Sequence, residues 1–424
     1  MEVVEGDERG DHDIIFKRVG PELRVVEGGF TSTIPSQALS ISNKFGLIFF
    51  VHPEGFCIAK TRDLVEACQN LNDSNKVYNA KDFSLACVDL PHIQSLALSE
   101  DELVIAACAE DRIQYFSVPA LVMQEKGRAE ISVALLKSLP ISDSKLLAWN
   151  PVRRGTVLTL SKGRTLTVGK FSEWHHKTVA EDVEAADWSP DGEHFCYITS
   201  DKEVHIYDSD LTSESKCRLP VEILNGGKNG GFEAYVDNLK WTRFDSILVS
   251  CLSRELENEE DNPWIFMLVS NGGSISQDPS NAKIVCFEGF FTSIDSSILA
   301  FEKGPFTLAD YIQPWDLFIM TNRKCIDDHI SLLGWCDEGA KSKISKLKIL
   351  DDRFTPRIEL QESGDDNYVV GLAVDRTTLS IEIAGPNGES GETLEPGPVL
   401  FCMTIEGNLS LFSVARYDSF LVIL

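Results

Sequence analysis

Apolar residues along this chain come in short runs, rich in Val, Ile, Leu, Phe and Cys, that are separated by Gly, Asp, Asn, Ser and Pro. Runs of about four to eight such residues between turn formers are typical of β-strands. The best helical candidate, residues 115–136, is interrupted by Gly127, so we expect a loop with at most one turn of helix there. The pattern predicts an all-β protein.

The clearest repeating unit is residues 185–208. A first strand ends at Trp188, and the Ser-Pro-Asp-Gly sequence that follows places Pro and Gly where a tight turn needs them. Two further strands are predicted at 195–199 and 204–207. Strand, tight turn, strand, turn and strand is the middle of a four-stranded propeller blade.

The same order of strands and turns recurs along the chain, with a spacing of about 55 residues, slightly above that of common propeller repeats. The turns after the first strands lie at Ser42, Ser99, Asn150, Ser189, Thr242 and Asp375. Including a sixth unit that starts near Trp315, the sequence predicts a seven-bladed β-propeller with long inter-blade insertions.

One isolated strand, at 14–17 or 23–26, precedes the first unit and has no partner within it. We expect it to close the ring as the outer strand of the last blade, which removes an exposed edge. The predicted organisation is an acidic N-terminal tail at 1–13, the propeller at 14–414 and a short C-terminal tail at 415–424. The alternative is two β-sandwiches in tandem, but sandwiches do not require the Trp-Ser-Pro-Asp-Gly arrangement to recur.

The chain is strongly acidic, with 39 Lys and Arg residues against 66 Asp and Glu residues and a formal net charge of −27. Such a chain repels phosphate backbones, so direct nucleic-acid binding is disfavoured. The acidic N-terminus does not resemble a secretory signal, and no apolar run reaches the roughly eighteen residues that a membrane helix needs. We expect a soluble intracellular protein without membrane insertion.

Eleven cysteines are scattered through apolar runs, and none belongs to a C-x-x-C pair, which predicts reduced, buried thiols and no structural zinc. The common phosphate-binding, zinc-protease, nucleophile-elbow and dinucleotide motifs do not occur. We therefore expect no enzyme, no catalytic residue, no metal and no cofactor. Asp327, Asp328 and His329 could suggest metal ligands, but neighbouring strand residues point to opposite faces, which favours a solvated turn. A hydrolase built around the central channel is the remaining enzymatic alternative.

Two long polar segments stand out between the predicted strands. Residues 338–368, which connect the sixth and seventh units, are far more than a propeller connection needs and carry both Arg and Asp residues. Long connections often bind partners, although a tolerated insertion explains the length equally well. The acidic run 254–261 in the fifth unit is typical of a solvated loop.

The order of several motifs resembles the N-terminal β-propeller of the 214-kilodalton nucleoporin family, over about residues 14–414. Trp-Ser-Pro-Asp-Gly alone is common to propellers, whereas the combination of Trp-Asp-Leu, Asp-Asp-x-x-x-x-Gly-x-x-Val-Asp and Pro-x-Pro-Val-Leu is more specific. The resemblance lies in residues 38–49, 92–99, 149–151, 188–192, 311–317, 363–375 and 396–400. We expect a plant-like member of the family.

The resemblance implies that the propeller docks the DEAD-box ATPase that strips proteins from messenger RNA at the nuclear pore. It implies an acidic surface containing an Arg, which contacts the basic, RNA-binding face of the N-terminal RecA-like domain of that ATPase. The matching loop here is the connection 338–368, in which Arg353 and Arg357 are the two candidates for the contact Arg of the family. The partner-binding residues implied in this way are Asp351, Asp352, Arg353, Arg357, Asp365 and Asp366.

A location and a role follow from the same resemblance: the cytoplasmic face of the nuclear pore complex, in messenger-RNA export and nucleocytoplasmic transport. Larger family members continue into a coiled coil and Phe-Gly repeats, segments through which other nucleoporins are contacted. Neither is present up to Leu424, so we expect a fragment or a natural short form. The alternative function is a general WD-repeat-like scaffold for another complex.

Overall fold

Seven sheets follow one another along the chain and close into a ring in the computed structural model. The first strand of each blade lies against the first strand of the next, and that of blade seven lies against that of blade one. The structure describes residues 1–417 apart from 32, 71–77, 125–126, 129–130, 142, 174–175, 221–231, 258–259, 301, 303, 339–340, 379–382, 385–392 and 395–396. The expected seven-bladed β-propeller is confirmed.

Each of the first four blades contains four antiparallel strands. Blade one consists of Leu39–Ser42, Leu47–His52, Gly55–Lys60 and Ser84–Asp89, with Gly127–Arg128 added in parallel at its outer edge. Blade two consists of Ile93–Leu98, Val104–Ala109, Ile113–Ser117 and Leu135–Leu139. Blade three consists of Ser144–Trp149, Thr156–Ser161, Leu166–Lys170 and Lys177–Ala180. Blade four consists of Val183–Trp188, His194–Thr199, Glu203–Asp208 and Glu214–Arg218.

The last three blades each include a strand from the beginning of the chain. Blade five consists of Phe232–Arg243, Ser246–Glu255, Asp261–Val269, Lys283–Glu288 and Glu2–Glu5. Blade six consists of Thr307–Ile312, Leu317–Asn322, Ser331–Glu338, Lys341–Ile349 and Asp7–Asp11. Blade seven consists of Val369–Asp375, Val399–Thr404, Asn408–Arg416, Ile14–Arg18 and Leu23–Arg24, with Tyr78–Asn79 beside the last of these. A separate hairpin pairs Ile383–Ala384 with Thr393–Leu394.

The expected closing strand is Ile14–Arg18, which pairs antiparallel with Asn408–Arg416. Ile14 and Phe16 of this strand are buried with residues of blade six, whereas Ile15 is buried beside Ala415 and Phe354. Both ends of the chain therefore hold the ring closed, as the sequence predicted.

The first residues differ from the expected tail at 1–13. Glu2–Glu5 and Asp7–Asp11 add in parallel to the outer edges of blades five and six. Both strands are largely exposed, and neither shows the alternation of apolar and polar residues that marks a half-buried strand. At the other end, the strand Asn408–Arg416 includes the first two residues of the expected tail at 415–424, and residues 418–424 lie outside the described residues.

Short helices lie outside the blades. The α-helices are Thr61–Asn70, Val118–Val122 and Ile131–Ala134, and the 3-10 helices are Ala80–Phe83, Pro279–Asn281, Gln313–Trp315 and Asp352–Phe354. The first was not expected, although its buried residues Thr61, Leu64, Val65 and Cys68 have helical spacing. Among the described segments, no helix has the length and apolar character needed to span a bilayer.

Side chains of the first strands join neighbouring blades. Trp188 Nε1 donates a hydrogen bond to the carbonyl oxygen of Ala148 in blade three, at 3.0 Å. Asp237 of blade five accepts hydrogen bonds from the backbone N–H groups of Phe306 and Thr307, at 2.6 and 2.7 Å. Contacts of this kind help to fix the angle between blades, because a buried donor or acceptor of one sheet finds a partner in the adjacent sheet.

One pair of cysteines corrects the expectation that all are reduced. Cys57 and Cys87 form a disulfide between the third and fourth strands of blade one. The two residues lie directly opposite each other in the strand register, a relationship that their separation of 30 residues conceals in the sequence. The other nine cysteines are free thiols, and only Cys336 among them is partly exposed.

The antiparallel order of the strands gives the ring two faces. Turns between the first and second strands, and between the third and fourth, lie on one face, which we call the hairpin face. Turns between the second and third strands, together with the connections between blades, lie on the other, which we call the connection face. The segment between blades six and seven, residues 350–368, therefore lies on the connection face. It is shorter than the connection expected at 338–368, because Lys341–Ile349 forms the fourth strand of blade six.

Candidate functional site

The connection from blade six to blade seven is anchored to the strands that close the ring. It contains the 3-10 helix Asp352–Phe354, and the carboxylate of Asp351 caps this helix by accepting from the backbone N–H of Arg353 at 3.1 Å. Phe354 packs against Ile15 and Ala415, one from each of the two paired closing strands. The connection thus has a fixed position on the propeller.

Arg353 is held by the residue that caps the helix. Its Nε and Nη2 donate to the two carboxylate oxygens of Asp351, at 3.0 and 2.6 Å, and the guanidinium side chain remains 71% exposed. The hydrogen bond from Arg353 is the main cause that lowers the pKa of Asp351 below its ordinary value. The pair therefore presents an oriented guanidinium group to solvent.

Arg357 points outward because its neighbours point inward. Pro356 and Ile358 are buried, while the Arg357 side chain is 68% exposed and forms an ion pair with Asp352. The pKa of Arg357 is raised, first by its hydrogen bond to Asp352 and further by the charges of Asp327 and Asp328. A turn that precedes the third strand of blade six thus adds two carboxylates to this surface.

Asp365 and Asp366 lie in an exposed turn at the end of the connection. Ser363 Oγ donates to Asp365 Oδ2 at 2.8 Å, and the side chain of Gln361 donates from Nε2 to the Asp366 carbonyl oxygen at 2.6 Å. Asp366 also acts on buried His329: burial lowers the pKa of His329, and nearby carboxylates, including Asp366, oppose that shift.

These interactions bring the six residues implied by the sequence onto one surface, together with two that the sequence analysis had not included. We call this surface the connector patch, and it consists of Asp327, Asp328, Asp351, Asp352, Arg353, Arg357, Asp365 and Asp366. The acidic pair before His329 was visible in the sequence, but only the fold brings it beside Arg357.

Further contacts hold the backbone of the connection. Glu359 forms an ion pair with Arg18 of the closing strand, and Glu362 forms one with Arg24. The Nδ2 of buried Asn367 donates to the Glu359 carbonyl oxygen at 3.1 Å. A surface fixed in this way loses little conformational freedom when a partner binds.

The connector patch also has apolar neighbours. Leu350 and Leu360 are 51% and 60% exposed, at the start and in the middle of the connection. Exposed leucines beside charged groups suit an interface with an apolar centre and a polar rim. Sequence analysis missed them because a single leucine in a polar loop carries no periodic signal.

The central channel has a cavity near each end, of about 550 and 400 Å³. Charged groups line both, but the contacts of several of them join blades. In the smaller cavity, Lys145 Nζ donates to the Glu184 carbonyl oxygen at 2.7 Å, from blade three to blade four. In the larger, Arg376 Nη2 donates to Asp310 Oδ1 at 2.9 Å, from blade seven to blade six. The channel groups named here act in holding the ring, which leaves the connector patch as the stronger candidate for a binding surface.

One protein family matches more than half of this chain. The family described as NUP159/214 beta propeller matches residues 33–273. The human nuclear pore complex protein Nup214 is 24% identical over 415 residues, which cover 89% of this chain and only 17% of that protein. The chain thus spans a small part of the length of this relative.

Two solved structures have the same fold. One is a chain from the S. cerevisiae complex of a Dbp5 variant bound to Nup159, a Gle1 variant, IP6 and ADP, with a TM-score of 0.65 and 13% identity. The other is the N-terminal domain of Nup159, with a TM-score of 0.64 and 11% identity. Each comparison covers 98% of this chain and 99% of the other chain. At these identities, the structures show a shared fold.

Proposed function

Because this chain belongs to the NUP159/214 beta-propeller family, we propose that it is a nucleoporin propeller domain whose connector patch docks the DEAD-box ATPase of messenger-RNA export. The observation that carries the proposal is the connector patch itself: exposed carboxylates and two guanidinium groups on a connection that is anchored to the closing strands. The solved complex that contains both Dbp5 and Nup159 supports the choice of partner.

Charge supports a basic partner surface. The connection holds six carboxylates and two arginines between residues 350 and 368, within a chain of net charge −27. A positive surface that binds RNA is attracted to such a patch, and the attraction increases the association rate. The same patch repels RNA, so we propose that the propeller competes for the RNA-binding face of the ATPase without binding RNA itself.

The arginines supply orientation within the acidic surface. Asp351 holds the Arg353 guanidinium through Nε and Nη2, and the planar group has further N–H donors on Nη1 that a carboxylate of the partner could accept. The patch thereby combines long-range attraction through its carboxylates with a directional contact through Arg353. In the nuclear pore, we place this docking surface on the cytoplasmic face, where the ATPase would meet exported messenger RNA.

The test measures binding of the 424-residue chain to a full-length DEAD-box export ATPase in its ATP-bound and ADP-bound states. We expect the double variant Arg353→Asp with Arg357→Asp to bind at least about tenfold more weakly, because the directional, charge-assisted hydrogen bonds of the two guanidinium groups are lost, and the added negative charge does not replace them. The matched control is Arg153→Asp with Arg154→Asp, two ion-paired arginines on the hairpin face, which should bind like the unchanged chain.

If both double variants bind the ATPase with equal affinity and have unchanged circular dichroism, the ATPase must contact a part of the propeller other than the connector patch. Failure of the unchanged chain to bind the ATPase in either nucleotide state would refute the docking proposal and favour a general scaffold. In a parallel experiment, a labelled single-stranded RNA should not bind to the propeller at physiological salt.

A further inference from the structure

Three potential metal ligands from three strands of blade one converge at one point. Cys57 and Cys87 are direct partners in the register of the third and fourth strands, and His52 ends the second strand. One ligand atom from each residue lies within 4.8 Å of the other two. The group is separate from the connector patch and from the cavities of the channel.

The strand register explains why the three side chains meet. Phe50 pairs with Cys57, and Cys57 pairs with Cys87, so these side chains share one face of the sheet. His52 follows Phe50 by two residues and therefore points to the same face, diagonally across from Cys57. No C-x-x-C spacing results, because each ligand comes from a different strand.

His52 supplies an independent observation. Its side chain is only 4% exposed, yet neither ring nitrogen has a hydrogen-bond partner among the described residues. A buried imidazole without a partner is unfavourable, since it has lost its hydrogen bonds to water. A ligand bound at this point would satisfy one of the nitrogens.

We propose that Cys57, Cys87 and His52 form a binding site for a thiophilic cation, Zn²⁺ or Cu⁺, that is open when the cysteines are reduced and closed when they form the disulfide. Thiolate and imidazole are the side chains that these cations prefer. Three protein ligands satisfy Cu⁺, whereas Zn²⁺ takes a water as its fourth ligand, for which the partly exposed side of Cys87 offers access.

Reduction of the Cys57–Cys87 disulfide requires a reductant, and we assign this role to a dithiol. The dithiol gives two electrons and two protons to the Cys57–Cys87 disulfide, which becomes two thiols, while the dithiol becomes a cyclic disulfide. A bound cation then displaces the two thiol protons to solvent. Both states use the same sulfur atoms, so the disulfide and the cation exclude each other.

The position of the site gives the alternation between disulfide and bound cation a structural role. The turn between His52 and Gly55 lies on the connection face, and the first strand of blade one packs against that of blade seven. The disulfide ties the third and fourth strands of blade one together near this turn, and a bound cation would tie in the second strand as well, through His52. The cation site would stabilise blade one under reducing conditions, in which the disulfide opens.

The experiment uses the full chain, reduced with dithiothreitol and freed of reductant by anaerobic gel filtration. Zn²⁺ and Cu⁺ are titrated separately against chromophoric competitors, and Co²⁺ serves as a probe whose charge-transfer absorption reports thiolate ligands. We expect one cation per reduced chain, for at least one of the two cations, and no stoichiometric binding by the oxidised chain.

Variants identify the ligands. Cys57→Ser and Cys87→Ser should abolish stoichiometric binding, whereas Cys402→Ala, which removes a buried thiol from blade seven, should bind like the unchanged chain. His52→Gln should weaken cation binding by more than about tenfold, since even the loss of a residue that only orients a metal ligand can weaken binding by that much. The disulfide should still form in this variant, which peptide mass spectrometry can verify.

Two results would overturn the proposal: binding of neither cation by the reduced chain, or equal binding by the unchanged chain and His52→Gln. If the serine variants misfold, the histidine variant decides alone, because it retains both sulfur atoms.

Discussion

Arg353 and Asp351 form a two-point contact, in which Nε and Nη2 of the guanidinium donate to Oδ1 and Oδ2 of the carboxylate at 3.0 and 2.6 Å. The guanidinium also lies over the ring of Phe354, 5.4 Å from its centroid. Phe354 in turn packs against the closing strands, so the exposed charge is positioned by the part of the molecule that closes the ring.

The first prediction concerns the titration of Asp351. Since the hydrogen bond from Arg353 is the main cause of its lowered pKa, Arg353→Ala should raise the pKa of Asp351 toward its ordinary value. Because the pKa of Asp351 is lower in the folded state than in the unfolded state, the contact with Arg353 stabilises the connection at pH values above the ordinary pKa. This stabilisation is lost as the pH falls through the lower, folded-state pKa. Carbon-13 NMR titration of the Asp351 carboxyl measures the change. Arg357→Ala, which removes the partner of Asp352 instead, is the control, and equal effects of both variants would contradict the assignment.

The second prediction concerns the salt dependence of partner binding. Binding should weaken by about tenfold or more between low and high ionic strength, because exposed charges are screened over roughly 10 Å at 0.1 M salt. Asp365→Asn with Asp366→Asn should reduce this dependence as well as the association rate. Asp210→Asn, an exposed carboxylate on the hairpin face, should leave both unchanged in stopped-flow measurements. A salt dependence that the double variant does not alter would exclude these two carboxylates from the interface.

The third prediction concerns the junction of blades three and four. Trp188 is 3% exposed, lies edge-on to Phe195 with ring centroids 5.4 Å apart, and donates to Ala148. Trp188→Ala should lower the free energy of unfolding by about 3–5 kcal/mol through the cavity that it leaves. Trp188→Phe keeps most of the ring and should cost less, chiefly the hydrogen bond at about 1 kcal/mol. Urea denaturation distinguishes the two, and equal costs would mean that the indole does not pack as described.

The fourth prediction concerns a buried ion pair. Lys202 Nζ lies 2.8 Å from Glu184 Oε2, both side chains are about 5% exposed or less, and the same oxygen accepts from the backbone N–H of Val236 in blade five at 2.7 Å. Glu184→Ala should destabilise the fold by about 3–5 kcal/mol, because it leaves a buried ammonium without its partner.

Two further variants test that explanation. Adding Lys202→Met to Glu184→Ala should recover part of the loss, since the unpaired charge is then removed while the N–H of Val236 still lacks its acceptor. Arg164→Ala removes a half-exposed guanidinium 3.7 Å from Glu184 and should change the free energy of unfolding by less than about 1 kcal/mol. No recovery in the double variant would show that the charge of Lys202 is not the source of the cost.

The sequence-based predictions agree best with the structure for features that depend on residues close together in the sequence. The strand that ends at Trp188, its turn and the two strands after it match the unit read from residues 185–208. The first strand of blade six, Thr307–Ile312, was not predicted, because the repeat pattern placed the start of that unit near Trp315. The helix Thr61–Asn70 was missed because one short amphipathic stretch is weak beside many strand-like runs.

Only part of the candidate site could be predicted from the sequence. Family resemblance suggested the connection, and the structure shows that Arg353 and Arg357 are both exposed there. It does not follow from sequence that Asp327 acts on Arg357, because the two residues lie on either side of two strands whose pairing must first be known.

The sequence by itself determined most of the blade strands, the tight turns, the number of blades and the acidic character of the chain. Alternation and turn residues act over about ten positions, and net charge depends on composition alone, so neither requires knowledge of the fold. Only the tertiary structure decided that the first eleven residues extend blades five and six, that Cys57 meets Cys87, and that Asp327 joins the connector patch. These relationships depend on register and closure between distant segments, where the decisive hydrogen bonds and packing contacts exist only after the ring has formed.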